Sequence, residues 1–383
     1  MSSTALYAGG RIGGMRARAR AATLLLTVWL LLFGDSLPGL VPSTAAQPAG
    51  GRVLAVIGRQ IGFVNFEAPR PRTLTTFSAP AFAIDVAAVP STSMAIFSVA
   101  EPFGGYGDAS SLGGDLLSLD LSGADAQPAP FLMRDDPSEW LGAPAWLPDG
   151  SAVLFQREDV QAGSDPYAGF SGVRYPSRVE IVSASGVGRR VLIGYGHQPS
   201  PAPDGSEIAY VRLSPDGTML IAHDLGTDAE RILVKSAALP DLAYPRYSPD
   251  GSRIAFVATT AAARGNPVAV EQAGAAAGQL PANWFALVGG ANLSRTTAVT
   301  SWFAPATAYA HGLPWNLWLV SRDGSGLREL ADLSEDDASL AWSPDGSQIF
   351  VYGSSGARLV DVATGTIDVL RYIAGFGAVS WLP

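Results

Sequence analysis

From Arg52 onward, short runs alternating apolar and polar residues recur in pairs, each pair joined by Pro-Asp-Gly-Ser or a near variant. The pairs read AWLPDGSAVLF at Ala145–Phe155, PAPDGSEIAYV at Pro201–Val211, RYSPDGSRIAFV at Arg246–Val257 and AWSPDGSQIFVY at Ala341–Tyr352. A worn copy, AAVPSTSMAIF, occupies Ala87–Phe97, and a truncated one, SWLP, ends the chain at Ser380–Pro383. A period of two, rich in Trp, Tyr, Val, Ile and Phe, predicts strands. Within each turn, Pro presets φ at the first central position, Asp bonds to its own backbone, and Gly supplies the left-handed conformation that reverses the chain.

Aligned on their prolines (Pro90, Pro148, Pro203, Pro249, Pro344 and Pro383), the copies recur at roughly 40–55 residues, with one interval about twice as long. Two more strands follow each pair, as in RVEIVSASGVGRRVLI (Arg178–Ile193), MLIAHDLGTDAERILV (Met219–Val234), LWLVSRDGSGLREL (Leu317–Leu330) and RLVDVATGTIDVL (Arg358–Leu370). Four antiparallel strands repeated radially predict an all-β fold, a β-propeller. RVLAVIG, IGFVNFE and PRTLTTF, within Gly51–Phe77, supply three strands with no inner strand before them. The closing AVSWLP supplies the missing one. The expectation is therefore six blades, the ring closed by the C-terminal strand completing the N-terminal blade.

These residues resemble the TolB-like propellers, whose WD-like repeat carries a W-S-P-D-G core. The resemblance covers Arg52–Pro383 and implies the fold. It also implies partner binding at the cell envelope, although the same repeat occurs in the propellers of prolyl-oligopeptidase-like enzymes and in polysaccharide lyases.

The N-terminal residues change the picture of location. Arg11, Arg16, Arg18 and Arg20 precede an apolar run, Ala21–Phe33, broken by Gly34, Asp35 and Pro38 and followed by Ser43, Thr44, Ala45 and Ala46. That order is read as a secretory signal over residues 1–46. The apolar run is shorter than the roughly 20 residues that span a bilayer, and an uncleaved anchor is the alternative. Residues 47–51 form a linker, 52–383 the propeller, and 259–313 an insertion in the fifth blade. An extracytoplasmic location is expected, with the propeller outside the membrane.

Net charge is −9, and the leader carries four Arg and one Asp, so its removal leaves about −12 with Lys235 as the lone lysine. Nucleic acid is not an expected partner of so acidic a domain. With no cysteine, disulfides, thiol catalysis and cysteine-ligated zinc are excluded. No cofactor, metal or catalytic residue is assigned, and a monomer is expected.

Connections between second and third strands share one face of a propeller, and three are long: Ala100–Gly114, Glu158–Ser177 and Thr259–Pro314. They carry Phe103, Tyr106, Tyr167, Phe170, Tyr175, Trp284, Phe285, Trp302, Phe303, Tyr309 and Trp315. Aromatics at a loop-built mouth suit protein or sugar contact, or they pack among themselves. His197 and His311 are placed at the same mouth, with Asp108, Glu158 and Asp165 as nearby acids, whereas His223 reads as a surface or interblade residue. Trp146, Tyr247, Trp342 and Trp381 fall at one repeat position and read as interblade core. The repeated Asp149, Asp204, Asp250 and Asp345 are explained by turn chemistry. No G-x-S-x-G elbow, P-loop or dinucleotide fingerprint occurs. The reading is a non-enzymatic scaffold for a protein or peptide at the cell envelope. The alternative is a carbohydrate-active or glycan-binding propeller.

Overall fold

The computed structural model describes residues 50–66, 71–78, 81–102, 112–123, 127–159, 177–214, 217–239, 241–259, 315–335, 338–370 and 373–383. Among them are strands and turns but no helix. The first blade consists of β1 (Arg52–Ile57), β2 (Gln60–Val64) and the two-residue β3 (Arg72–Thr73). The second is β4 (Phe82–Ala88), β5 (Met94–Pro102), β6 (Leu112–Asp120) and β7 (Ala129–Leu132), and the third is β8 (Glu139–Trp146), β9 (Ala152–Asp159), β10 (Ser177–Ser183) and β11 (Arg190–Ile193). The fourth holds β12 (His197–Pro201), β13 (Glu207–Ser214), β14 (Gly217–Asp224) and β15 (Glu230–Val234). The fifth holds β16 (Asp241–Tyr247), β17 (Arg253–Thr259), β18 (Trp315–Ser321) and β19 (Arg328–Glu335), and the sixth β20 (Ser339–Trp342), β21 (Gln348–Gly353), β22 (Gly356–Asp361) and β23 (Ile367–Leu370). β24 (Ser380–Leu382) pairs antiparallel with β1, Val53 opposite Trp381. The second and third blades are joined by one parallel bridge, Gly114 to Trp140.

The repeated turn forms as its residues dictate. Ser151, Ser206, Ser252 and Ser347 donate backbone N–H bonds of 2.9–3.0 Å to Asp149, Asp204, Asp250 and Asp345. Their hydroxyls donate to the same carboxylates. The glycines sit at φ 72°, 68°, 70° and 72°, the left-handed region where a Cβ is strained.

Apolar burial lies between sheets. One cluster joins Leu54 and Ile61 to Val86 and Phe97, the next Ile96 and Leu116 to Leu141 and Trp146, and a third Leu154 and Val179 to Ile208 and Tyr210. Three more join Val211 to Tyr247 and Phe256, Val257 and Leu317 to Leu340 and Trp342, and Phe350 and Tyr352 to Val53 and Trp381. Each cluster takes residues from two consecutive blades, the sixth and first included. Trp146, Tyr247, Trp342 and Trp381 are all buried in them, as the repeat position implied. Each such side chain contributes about 1.5–3 kcal/mol of burial.

Candidate functional site

The inner strands β8, β12 and β16 do not run straight. Their pairing slips between Gly142 and Ala145, between His197 and Ser200, and between Ala243 and Arg246. At each slip a residue other than glycine takes positive φ: Ala143 at 45°, Gln198 at 51° and Tyr244 at 53°. Proline follows each of them, and it has no N–H to leave unpaired where the ladder is interrupted. All three stand five residues before a turn proline, a position held in the other blades by Asp85, Ser339 and Ala378.

Side chains at this level stitch blades together. Asp85 accepts from the amides of Ala143 (3.0 Å) and Ala378 (2.7 Å), in the third and first blades. Gln198 Oε1 accepts from the Tyr244 amide at 2.8 Å, while the Gln198 amide donates to Gln156 Oε1 at 3.0 Å. Ser339 Oγ donates to the Gly377 carbonyl at 2.6 Å. Burial pushes the Asp85 carboxyl above its ordinary value, opposed by the bonds from Ala378 and Ala143 and by the charge of Arg246.

His197 opens β12, where a side chain at the channel mouth was expected, and its Nδ1 lies 3.6 Å from Glu158 Oε1, both side chains largely covered. Gln156 Nε2 donates to that same Glu158 oxygen. A polar path thus runs from His197 through Glu158, Gln156 and Gln198 to the Tyr244 backbone, across the third, fourth and fifth blades.

The strand ends that carry one long connection, from Asp159 to Ser177, are pinned by charge. Arg157 binds Glu139 and Asp159 at 2.5 and 2.6 Å, and Arg189 joins Glu139 to Glu180, which Arg178 also binds. Burial of Glu139 alone would raise its pKa. The Asp135 amide with Arg157 and Arg189 outweighs burial and holds the carboxyl below its usual value. Beside this network the half-buried Trp140 lies against Gly114 and Gly142, where an added Cβ would come within 2.7 and 2.3 Å of the indole. Trp140 and Phe376 pack together on Phe82, Ile84 and Ala100.

Of the residues expected at the mouth, His197 and Glu158 are described and adjacent. Phe103, Tyr106, Asp108, Tyr167, Asp165, Phe170, Tyr175, Trp284, Phe285, Trp302, Phe303, Tyr309 and His311 lie outside the described residues, as do residues 1–46. One expectation about a site residue is corrected. Trp315 is not a loop aromatic. It opens β18 and is buried at 5% exposure between the fifth and sixth blades. His223, read as a surface or interblade residue, is 4% exposed, with Nε2 3.1 Å from Asp228, which leaves only the buried alternative. The second-blade connection, expected over Ala100–Gly114, is also shorter than expected, because β5 and β6 reach Pro102 and Leu112.

Asp85, Gln198, Arg246 and Trp140 were not singled out from the sequence. The signal available was the second proline, Pro144, Pro199 or Pro245, four residues before the turn proline. It marks the bulges. Among the described residues no group of three or more His, Asp or Glu is arranged to hold a metal, and no helix is long and apolar enough to cross a membrane.

The blades and their inner-strand bulges define a β-propeller. No protein-family profile and no curated protein matches this sequence. Among solved structures, TolB from Acinetobacter baumannii is similar at TM-score 0.54 and 14% identity, over 97% of this chain and 74% of that one. A chain of a nidogen/laminin complex is similar at TM-score 0.53 and 11% identity, over 87% of this chain and 99% of its own. The likeness is one of fold, and the fold is a TolB-like β-propeller.

Proposed function

We propose that this protein is an extracytoplasmic, non-enzymatic scaffold that binds a protein or an extended peptide through its loop-rich face. The carrying observation is strand order. The segments between Pro102 and Leu112, Asp159 and Ser177, and Thr259 and Trp315 each join the second strand of a blade to its third. In a ring of equivalent antiparallel blades, such connections leave from the same face. The ion cluster of Glu139, Arg157 and Arg189 holds one such base rigid, and the half-buried Trp140 adds an apolar contact at the mouth. Propellers of similar fold belong to the TolB protein and to a nidogen/laminin complex, which supports a protein partner. The charged, apolar and small-residue order of residues 1–46 supports the location. The acidic surface steers a basic partner.

The test is affinity capture with crosslinking from the cell-envelope fraction, using the domain with and without residues 260–311. A protein held only by the intact domain, with crosslinks mapping beside Trp140, His197 and Trp315, supports the scaffold. Captured glycan, or activity on a polysaccharide that His197→Ala abolishes without unfolding, favours the carbohydrate-active class instead.

A further inference from the structure

Ala100, Gly114, Trp140 and Glu158 are successive cross-strand partners on β5, β6, β8 and β9, so the bridge between the second and third blades carries one row of residues across both. Cross-strand partners point to the same face of a sheet. In this row the Trp140 indole has glycine and alanine for neighbours on one side and the Glu158 carboxylate on the other. Gly142, two residues along β8, is on the same face. A Cβ at Gly114 would come within 2.7 Å of the six-membered ring, and one at Gly142 within 2.3 Å of Nε1, so the two glycines let the indole lie across the sheet. Trp140 remains half-buried, and the Glu158 side chain is 20% exposed.

The Glu158 carboxylate has acceptor capacity to spare on this face. Gln156 Nε2 and His197 Nδ1 both approach its Oε1, at 2.5 and 3.6 Å, while a carboxylate has about four acceptor sites. Arg157 and Asp159, the residues on either side, point to the other face and pair with each other at 2.6 Å. The third blade already shows what an aromatic ring opposite a glutamate takes. Phe155 and Glu180 are cross-strand partners on β9 and β10, and Arg189 covers that pair, its guanidinium 5.6 Å from the Phe155 centroid and its Nε 2.5 Å from Glu180. Arg212 does the same in the fourth blade, over Tyr210 at 5.2 Å and against Glu230 at 2.7 Å. In both, the guanidinium lies over the ring while its N–H groups reach the carboxylate.

We propose that Trp140 and Glu158 form a subsite for one arginine side chain of the partner protein, the indole supplying the stacking face and the carboxylate the charge. The proposal rests on the reading that the loop-rich face binds a protein. A cation suits the charge both locally, at Glu158, and over the whole chain, whose net charge is −9. Arginine is favoured over lysine because a planar guanidinium stacks and bonds at once, whereas an ammonium is a compact, strongly hydrated point charge. A sugar ring also stacks on an indole, but its hydroxyls carry no charge to match the carboxylate.

The experiment titrates the purified protein with acetylated, amidated Gly-Arg-Gly and follows the indole Nε1–H resonances, with Trp140→Phe assigning the one that belongs to Trp140. If that variant fails to fold, the resonance is assigned in the wild type through the packing of Trp140 on Phe82 and Phe376. Controls carry lysine, or citrulline as an uncharged isostere, at the central position. The arginine peptide is expected to move the Trp140 resonance, the lysine peptide to move it less, and the citrulline peptide to leave it in place. Glu158→Gln is expected to weaken arginine binding about fivefold, as for loss of one partly solvated ion pair. The assignment is overturned by equal responses to arginine and citrulline or by unchanged affinity in Glu158→Gln. It is also overturned if methyl β-glucoside moves the Trp140 resonance at lower concentration than the arginine peptide does, which would make the indole a sugar platform. A protein captured through the loop-rich face while the arginine peptide leaves Trp140 unmoved removes the subsite and keeps the scaffold. A bound arginine peptide with no captured protein removes the scaffold reading and keeps a guanidinium site.

Discussion

Asp85 accepts a 2.7 Å hydrogen bond from the amide of Ala378, 293 residues further along the chain. Its second oxygen takes the amide of Ala143. One buried carboxylate thereby holds the first, second and third blades at the channel wall. Asp85→Ala leaves two buried amides without an acceptor, at a cost of about 2–4 kcal/mol. Asp85→Asn, which keeps one acceptor oxygen, is expected to fall between that variant and the wild type. Urea unfolding measures both, and an unchanged midpoint for Asp85→Ala would remove the staple from the account.

The fourth and fifth blades are clamped differently. Arg322 binds Asp204 and Glu207 at 2.7 Å each, and Glu207 also receives Arg231 and the Tyr247 hydroxyl. Arg322→Ala is expected to cost about 1–2 kcal/mol, since the arginine is partly solvated and Glu207 keeps two partners.

The same cluster sets an acid limit. The Arg322 guanidinium, and then the Ser206 amide, hold Asp204 well below the carboxylate range, while Ser248 and Ser252 bring Asp250 down to about 2. Groups depressed in the folded state contribute stability above their unfolded pKa, near 4, and lose it as pH falls through the folded value. The melting temperature is expected to drop between about pH 4 and pH 2, and the drop is expected to be shallower in Arg322→Ala. Asp85, with its raised pKa, has the opposite sign: its contribution is present below its unfolded pKa and is lost as pH rises through the folded value. Parallel pH curves for variant and wild type would argue against the clamp as a source of acid sensitivity.

Two glycines with similar backbone angles separate conformational strain from steric blockage. Gly205, at φ 68°, has open space where a Cβ would sit, whereas at Gly377, φ 82°, the Cβ would fall 1.7 Å from the Ile84 carbonyl oxygen. Gly205→Ala should cost about 1–2 kcal/mol. Gly377→Ala must push the first and second blades apart and should lower the melting temperature several-fold more. Similar shifts for the two variants would contradict the close approach.

Ring closure is tested at the C-terminus. β24 contributes Trp381 to the cluster with Phe350 and Val53, and removing Ala378–Pro383 also takes the amide that Asp85 holds. We expect aggregation or a large loss of thermal stability. A truncated chain that melts with the intact protein would refute closure by this strand.

The strands, the Pro-Asp-Gly turns and the core role of Trp146, Tyr247, Trp342 and Trp381 were legible in the sequence, because φ preference, Asx bonding and a period of two act over a few residues. Trp315 was misread because it borders the insertion, where no flanking period showed that β18 had begun. For the candidate site, His197 was legible at the start of an inner strand. Its partner Glu158 was one acid among several until β9 was set beside β12.

Asp85, Gln198 and Arg246 became meaningful only in three dimensions. Each lies at or beside an inner-strand register slip, and one inserted residue turns the following side chains to the other face, which alternation alone does not predict. The partners of Asp85 and Gln198 come from other blades, far away along the chain. Local chemistry therefore determined what each blade is, and the tertiary arrangement decided which polar groups meet across neighbouring blades.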